Sequence, residues 1–191
     1  NILITDFNNL YSDDFLLPAG NLREWKIGRK RAQVLVVSKC PKNLAEQTKN
    51  EISIKLKFPS EKVFFSTIIY GEILSFDQKF FKAKKILLVT GIANPKPLFD
   101  HLSKEYQVEL MKFPDHYRFT DKDIKGIHQK FDTFVEQDKA IITTEKDFMR
   151  LSELSTKTTI EKYPWFYQTI EVKIDREVEF NALINTYVDT I

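Results

Sequence analysis

A chain of 191 residues, 42% of them hydrophobic, has room for one large or two small domains and enough apolar surface for a core, which excludes a disordered chain. Lys+Arg 29 against Asp+Glu 27 leaves a formal net charge of +2, so nothing global calls for nucleic acid or another polyanion. The single cysteine, Cys40, excludes an internal disulfide and suits a reducing compartment; no apolar run reaches the roughly 18 residues of a membrane span, and no signal peptide is visible.

The chain enters at once into "NILITDF", which reads as a strand with nothing before it, the look of a piece of something longer. Asp13-Asp14 in "YSDDF" has no His or Cys nearby to complete a metal site, so no metal ligand is assigned. In "LLPAGNLREWKIGRKRA", Pro18 and Gly20 shape a loop before an expected helix that opens with Arg23 and Glu24. That helix would concentrate Arg23, Lys26, Arg29, Lys30 and Arg31 beside Trp25 and Ile27. Such a segment is either a solvated face or a surface for phosphates and anionic head groups, at about 1 kcal/mol per cation.

A strand at 33–39 ends at Cys40-Pro41, and apolar spacing predicts a helix over 43–58. The stretch 61–76 carries a Gly-centred turn at Gly71, and 163–174 is extended and aromatic; together they predict an antiparallel ribbon outside the main sheet. Further strands are expected at 84–91, 106–113 and 139–145, alternating with helices over 94–106 and 120–135, and a last helix over 178–191. Asn94 is the expected N-cap with Pro95 at the first helical position, and Thr120 caps the next helix with Asp123 three residues on. His101 and His128 fall on amphipathic helices as surface or boundary residues. Continuous apolar strands alternating with helices define an α/β class with a mostly parallel sheet covered on both faces.

Five scattered glycines cannot form G-x-x-x-x-G-K-[ST] or G-x-G-x-x-G, so these residues contain no phosphate-cradling loop. Three places still point to chemistry. Gly91 and Asn94 stand where a buried strand turns into a helix, the place where α/β folds offer free N–H groups to anions. Lys146, in the first turn after "ITTE", is a cation where the helix dipole disfavours one, which suggests an anionic ligand or an ion pair with a neighbouring acid. Asp115 and His116, in "MKFPDHYRFTDKDI", sit in the loop before the Thr120-capped helix, as solvated turn residues or as functional groups.

The order of "LLPAGNLRE", "VTGIANPKPLFDHL", "FPDHYRFTDKDI" and "ITTEKD", from Leu16 to Asp147, resembles the tetraacyldisaccharide 4'-kinase family, the lipid A kinases; residues after Lys157 match little of it. The resemblance implies two α/β/α lobes joined by a two-stranded antiparallel ribbon. It implies transfer of the ATP γ-phosphoryl group, with Mg2+, to the 4'-hydroxyl of a tetraacyldisaccharide 1-phosphate at the cytoplasmic face of a Gram-negative inner membrane. Its P-loop, catalytic acid and "DDGFQH"-like magnesium motif would all lie upstream of Asn1. Residues 1–58 are then expected to finish the nucleotide lobe and 59–191 to form the ribbon and second lobe, a fragment inactive alone.

Within that resemblance His116 and Asp115 become catalytic candidates, Arg23 and Glu24 substrate-binding candidates, and Gly91, Asn94 and Lys146 nucleotide-binding candidates. The implied partners are the lipid A precursor disaccharide, the anionic membrane surface and the kinase's own P-loop portion, with no nucleic acid. The alternatives are a non-catalytic α/β module that holds a nucleotide or sugar phosphate, and a docking helix over Leu22–Ala32.

Overall fold

Aliphatic runs become strands here because both sides of the sheet are covered. The computed structural model describes residues 1–75, 80–152, 160 and 162–188. In chain order its main elements are β1 (Ile2–Asp6), β2 (Val34–Ser38), α1 (Glu46–Leu56), β3 (Val63–Ser75), β4 (Lys85–Thr90), α2 (Lys96–Leu102), β5 (Gln107–Lys112), α3 (Asp121–Asp132), β6 (Lys139–Thr144), α4 (Glu145–Ser152), β7 (Trp165–Ile174) and α5 (Glu177–Val188). The strand order is β1-β2-β3-β7-β6-β4-β5. The pairs β1 with β2, β2 with β3, β4 with β5, β4 with β6 and β6 with β7 are parallel. The expected α/β class with a mostly parallel sheet is therefore what forms.

By contacts the chain divides into two compact units, Asn1–Ile69 with Glu171–Ile191 (unit 1) and Tyr70–Ile170 (unit 2). This division differs from the contiguous segments 1–58 and 59–191, because the chain leaves unit 1 within β3 and returns to it within β7.

In unit 2 alternate residues of each strand go to opposite faces. Leu87, Val89 and Ile141 pack with Ile124, Ile127 and Phe131 of α3, whereas Ile86, Leu88, Ala140 and Ile142 pack with Leu98 and Leu102 of α2. Unit 1 repeats the plan. Leu35, Val37, Val63 and Phe65 face Ile52 and Leu56 of α1, and Val34, Val36 and Phe64 face Ile174 and Phe180. Helices on both faces make each unit three-layered, and each large apolar side chain so buried contributes about 1.5–3 kcal/mol.

Several expectations are corrected. Gly71 makes no turn: β3 runs unbroken from Val63 to Ser75. A Cβ at Gly71 would stand 2.6 Å from Thr169 Oγ1, so glycine serves close strand approach instead. Asp175 N–H donates to Phe65 O at 2.9 Å, and Gly71 lies against Thr169, the falling register of an antiparallel pair. That ribbon is not outside the sheet, since β3 and β7 are its central neighbours. No α-helix opens at Arg23; a 3-10 turn spans Lys26–Arg31 and buries none of its residues. Without an apolar face to cover, nothing stabilises a longer helix there. Pro95 takes the cap position of α2, and Asn94 stands one residue earlier, its Oδ1 accepting from Lys96 N–H at 3.2 Å.

His128 is buried rather than superficial. Its Nε2 accepts from Trp165 Nε1 at 2.9 Å and its ring stacks on Tyr163 at 3.6 Å, while burial lowers its pKa against the opposing pull of Asp132. Thr120 and Asp123 form the expected capping box of α3. Residues 189–191 of the expected last helix lie outside the described residues.

Candidate functional site

Within unit 2, β4 and β6 end close to the loop that follows β5. That loop is fixed from within: Phe113, Tyr117 and Phe119 form a cluster with ring centroids 4.9–5.5 Å apart, and Phe119 is buried. Tyr117 Oη reaches Asp123 Oδ2 at 3.3 Å, tying the loop to the start of α3. With the aromatic residues turned inward, Asp115 and His116 are left exposed between them.

Gly91 follows β4 and is buried. Its N–H donates to Asp147 Oδ2 at 2.8 Å, and its carbonyl accepts from His116 N–H at 3.1 Å. A Cβ there would lie 3.2 Å from Asp147 Oδ1, 3.3 Å from Tyr117 Cβ and 3.4 Å from Pro114 O, so a larger residue would push these three apart. A side chain there would fit only if these neighbours gave way by a few tenths of an ångström.

Asp147, in the first turn of α4, is completely buried. Its Oδ2 also accepts from Thr144 Oγ1 at 2.9 Å, its N–H donates to Thr144 Oγ1 at 3.1 Å, and its Oδ1 takes Arg150 Nη1 at 3.0 Å. A carboxylate with this many donors, one charged, is tolerable in the interior; unpaired it would be costly.

Arg150 carries the chain of contacts outward, with Nη2 lying 3.1 Å from His116 Nδ1. Lys146 Nζ lies 3.5 Å from His116 Nε2 and 4.0 Å from Asp115 Oδ1. Asp115 Oδ2 stands 3.7 Å from His116 Nε2, and its Oδ1 accepts from the His116 N–H at 2.9 Å. His116 itself is held at φ 59°, the left-handed region.

The structure thus brings together four of the sequence-derived candidates, Asp115, His116, Gly91 and Lys146. Lys146 has the neighbouring acid that its unusual position suggested. Asn94 serves the start of α2 instead. Arg23 and Glu24 belong to unit 1, where Glu24 pairs with Arg31 and Arg23 is exposed. Beside them Phe15, Leu16, Ala19, Leu22, Trp25 and Ile27, with Asp14 and Lys26, line an open groove of about 610 Å3. Asp14 shapes its loop by accepting from Asn21 and Phe15 N–H groups, which lower its pKa.

Sequence reasoning missed Arg150 and gave Asp147 no role. The signal was present in the spacing, since residues three and four apart on a helix share a face, and Arg150 stands so to Asp147 and Lys146.

Polar and charged groups thus gather at the carboxyl ends of parallel strands in an α/β protein whose sheet is covered by helices, the edge where open sheets of this class commonly place ligands. Residues 1–189 match the family model described as Tetraacyldisaccharide-1-P 4'-kinase. The tetraacyldisaccharide 4'-kinase of Flavobacterium johnsoniae is 46% identical over 158 residues, 80% of this chain and 45% of that protein. The enzyme of the same name from Flavobacterium psychrophilum is 36% identical over 99% of this chain and 54% of its own. In fold, the chain is similar to the "apo" form of LpxK from Aquifex aeolicus crystallised in complex with ATP. There the TM-score is 0.61 at 24% identity, with 97% of this chain and 51% of that one covered. The chain belongs to the tetraacyldisaccharide-1-P 4'-kinase family, and it spans about half the length of the relatives it matches.

Proposed function

We propose that this chain is the C-terminal part of a kinase that transfers the γ-phosphoryl group of ATP to the 4'-hydroxyl of a tetraacyldisaccharide 1-phosphate in lipid A synthesis. Family membership supports the reaction class. The observation that carries a role for these residues is His116, exposed at the strand ends yet held by its backbone to Gly91 and by its ring to Arg150. A mere turn histidine has no need of such support.

Phosphoryl transfer asks a protein chiefly for positioning and for charge-matched donors around the transferring group. His116 provides a ring N–H toward a phosphoryl oxygen, or toward the carboxylate that takes the proton of the acceptor hydroxyl. Lys146, half exposed beside it, meets phosphate oxygens of the nucleotide. Asp115 orients the ring through its backbone and the Nε2 side. Mg2+ supplies charge neutralisation between phosphates in such reactions. Among the described residues no group of three or more His, Cys, Asp or Glu gathers as a metal site, and the proposed reaction takes its Mg2+ ligands from the part of the kinase upstream of Asn1.

Arg23 and Glu24, beside the apolar groove of unit 1, are proposed to meet the acceptor. No helix among the described residues is long and apolar enough to cross a membrane. The contact proposed for these residues with the cytoplasmic face of the inner membrane is made through Trp25, Ile27 and the cations that follow.

The test is steady-state kinetics of His116→Ala in the full-length kinase. We expect kcat to fall about 10- to 1,000-fold, or about 1.4–4 kcal/mol of transition-state stabilisation, with thermal stability nearly unchanged. Wild-type turnover across pH 6 to 9 would remove His116 from the reaction. In a parallel arm the present chain alone, given labelled ATP, Mg2+ and acceptor, is expected to yield no product, and product above a blank would overturn the reading of it as a part.

A further inference from the structure

Arg150 closes a circuit that the proposed reaction does not by itself require. Gly91 N–H binds Asp147, Asp147 binds Arg150, Arg150 reaches His116 Nδ1, and the His116 N–H returns to the Gly91 carbonyl. We infer that Arg150 is a positioning residue, whose guanidinium holds the His116 ring in one orientation and in the tautomer with its proton on Nε2. The inference rests on the reading of His116 as a functional group and adds to it the residue that sets its hydrogen-bonding sense.

The chemistry of the two groups decides the tautomer. A guanidinium has donors only, so the ring nitrogen that faces it at 3.1 Å has to accept. A neutral imidazole has one acceptor and one N–H, which places the proton on Nε2. Lys146 opposes this arrangement, being a second donor 3.5 Å from Nε2. Two observations settle the contest for Arg150. Its side chain is 23% exposed and anchored by the other nitrogen on a carboxylate of 0% exposure, whereas the Lys146 side chain is 49% exposed. Lys146 also has Asp115 within 4.0 Å as another partner, and its flexible stem lets it turn there.

The consequence is an outward Nε2–H, a donor at neutral charge, ready for a phosphoryl oxygen or a catalytic carboxylate. Asp115 Oδ2, 3.7 Å from Nε2, is near enough to steady that proton and too far to take the bond fully. Second-layer control of a histidine tautomer by the partner of its other nitrogen is a general device.

The experiment uses the full-length kinase with 15N-labelled histidine, the His116 signals being identified by their loss in His116→Ala. Long-range proton-nitrogen correlation should show an unprotonated Nδ1 and a protonated Nε2 in the wild type. Arg150→Met, which keeps an unbranched apolar stem, should give a mixture of tautomers, and Arg150→Lys should retain part of the wild-type pattern. In kinetics Arg150→Met should lower kcat about tenfold with KM for ATP little changed. Combined with His116→Ala it should cost no more than His116→Ala alone, because a residue that acts through His116 has nothing left to position. Thermal melts of each variant verify folding, and Arg150→Lys keeps the comparison usable if Arg150→Met unfolds. A proton on Nδ1 in the wild type, an unaltered tautomer in a folded Arg150→Met, or additive losses in the double variant would each overturn the inference. Should His116→Ala prove kinetically silent, the spectra still judge the Arg150 contact, so the two failures are distinguishable.

Discussion

At φ 59° His116 adopts a backbone conformation that costs an L-residue about 1–2 kcal/mol, although histidine enters it more readily than most. The loop tolerates it because the N–H so directed finds both Gly91 O and Asp115 Oδ1. Removing the ring and removing the strain are therefore separable. His116→Gly should be more stable than His116→Ala by up to about 1 kcal/mol in chemical denaturation, while both lose the ring equally in kinetics. If the alanine variant is the more stable, residue 116 does not hold the left-handed turn in solution. None of this was legible in the sequence, where "FPDHY" showed a titratable pair in a loop but not which residue bore the turn. Asp147 was similarly opaque, because acidic residues in the first helical turn are common and burial depends on what arrives from β4.

At the scale of elements, the junction before α3 was the most legible part of the chain. Thr120 and Asp123 cap each other because a helix start leaves N–H groups without partners, and their side chains satisfy two of them locally. Asp123 also holds Tyr117, so the cap and the FPDHY loop share a residue. Thr120→Ala should lower stability by about 1 kcal/mol, within the usual 0.5–2 range for a lost cap, read as a shift in urea midpoint at constant slope. A loss well below 0.5 kcal/mol would mean that the packing of Ile124 and Ile127 alone sets the helix start. Strands β4 and β6 were equally readable as apolar runs. Gly71 misled because a glycine flanked by apolar runs signals a turn, and only the partner at Thr169 reveals a strand that needs close approach.

For the whole molecule, the basic segment and the apolar groove in unit 1 make one surface with two chemistries. Trp25 and Ile27 are 73% and 61% exposed, and Lys26, Arg29, Lys30 and Arg31 follow along the 3-10 turn. Exposed aromatic and aliphatic groups beside cations suit the boundary of an anionic bilayer. Replacing Arg29, Lys30 and Arg31 by Gln in the full-length kinase should weaken partition onto anionic vesicles, with the difference from wild type shrinking as salt rises. Unchanged partition at low salt would make this a solvated face only.

Local rules were enough for the class of fold: runs of Val, Leu and Ile at strand length, separated by stretches of helical period, leave little choice but an α/β sheet covered on both sides. The order of four short stretches was enough for the family. Which strands are neighbours was not local. The antiparallel ribbon enters the middle of the sheet order because β3 and β7 are long and apolar at one end, where each also pairs in parallel with β2 or β6. The site was half visible, since Asp115, His116, Gly91 and Lys146 stood out by residue type and position. Arg150 and the burial of Asp147 emerged only in three dimensions, for a hydrogen bond between residues 34 apart in the chain depends on where β4, β5 and β6 end together, and no local preference encodes that.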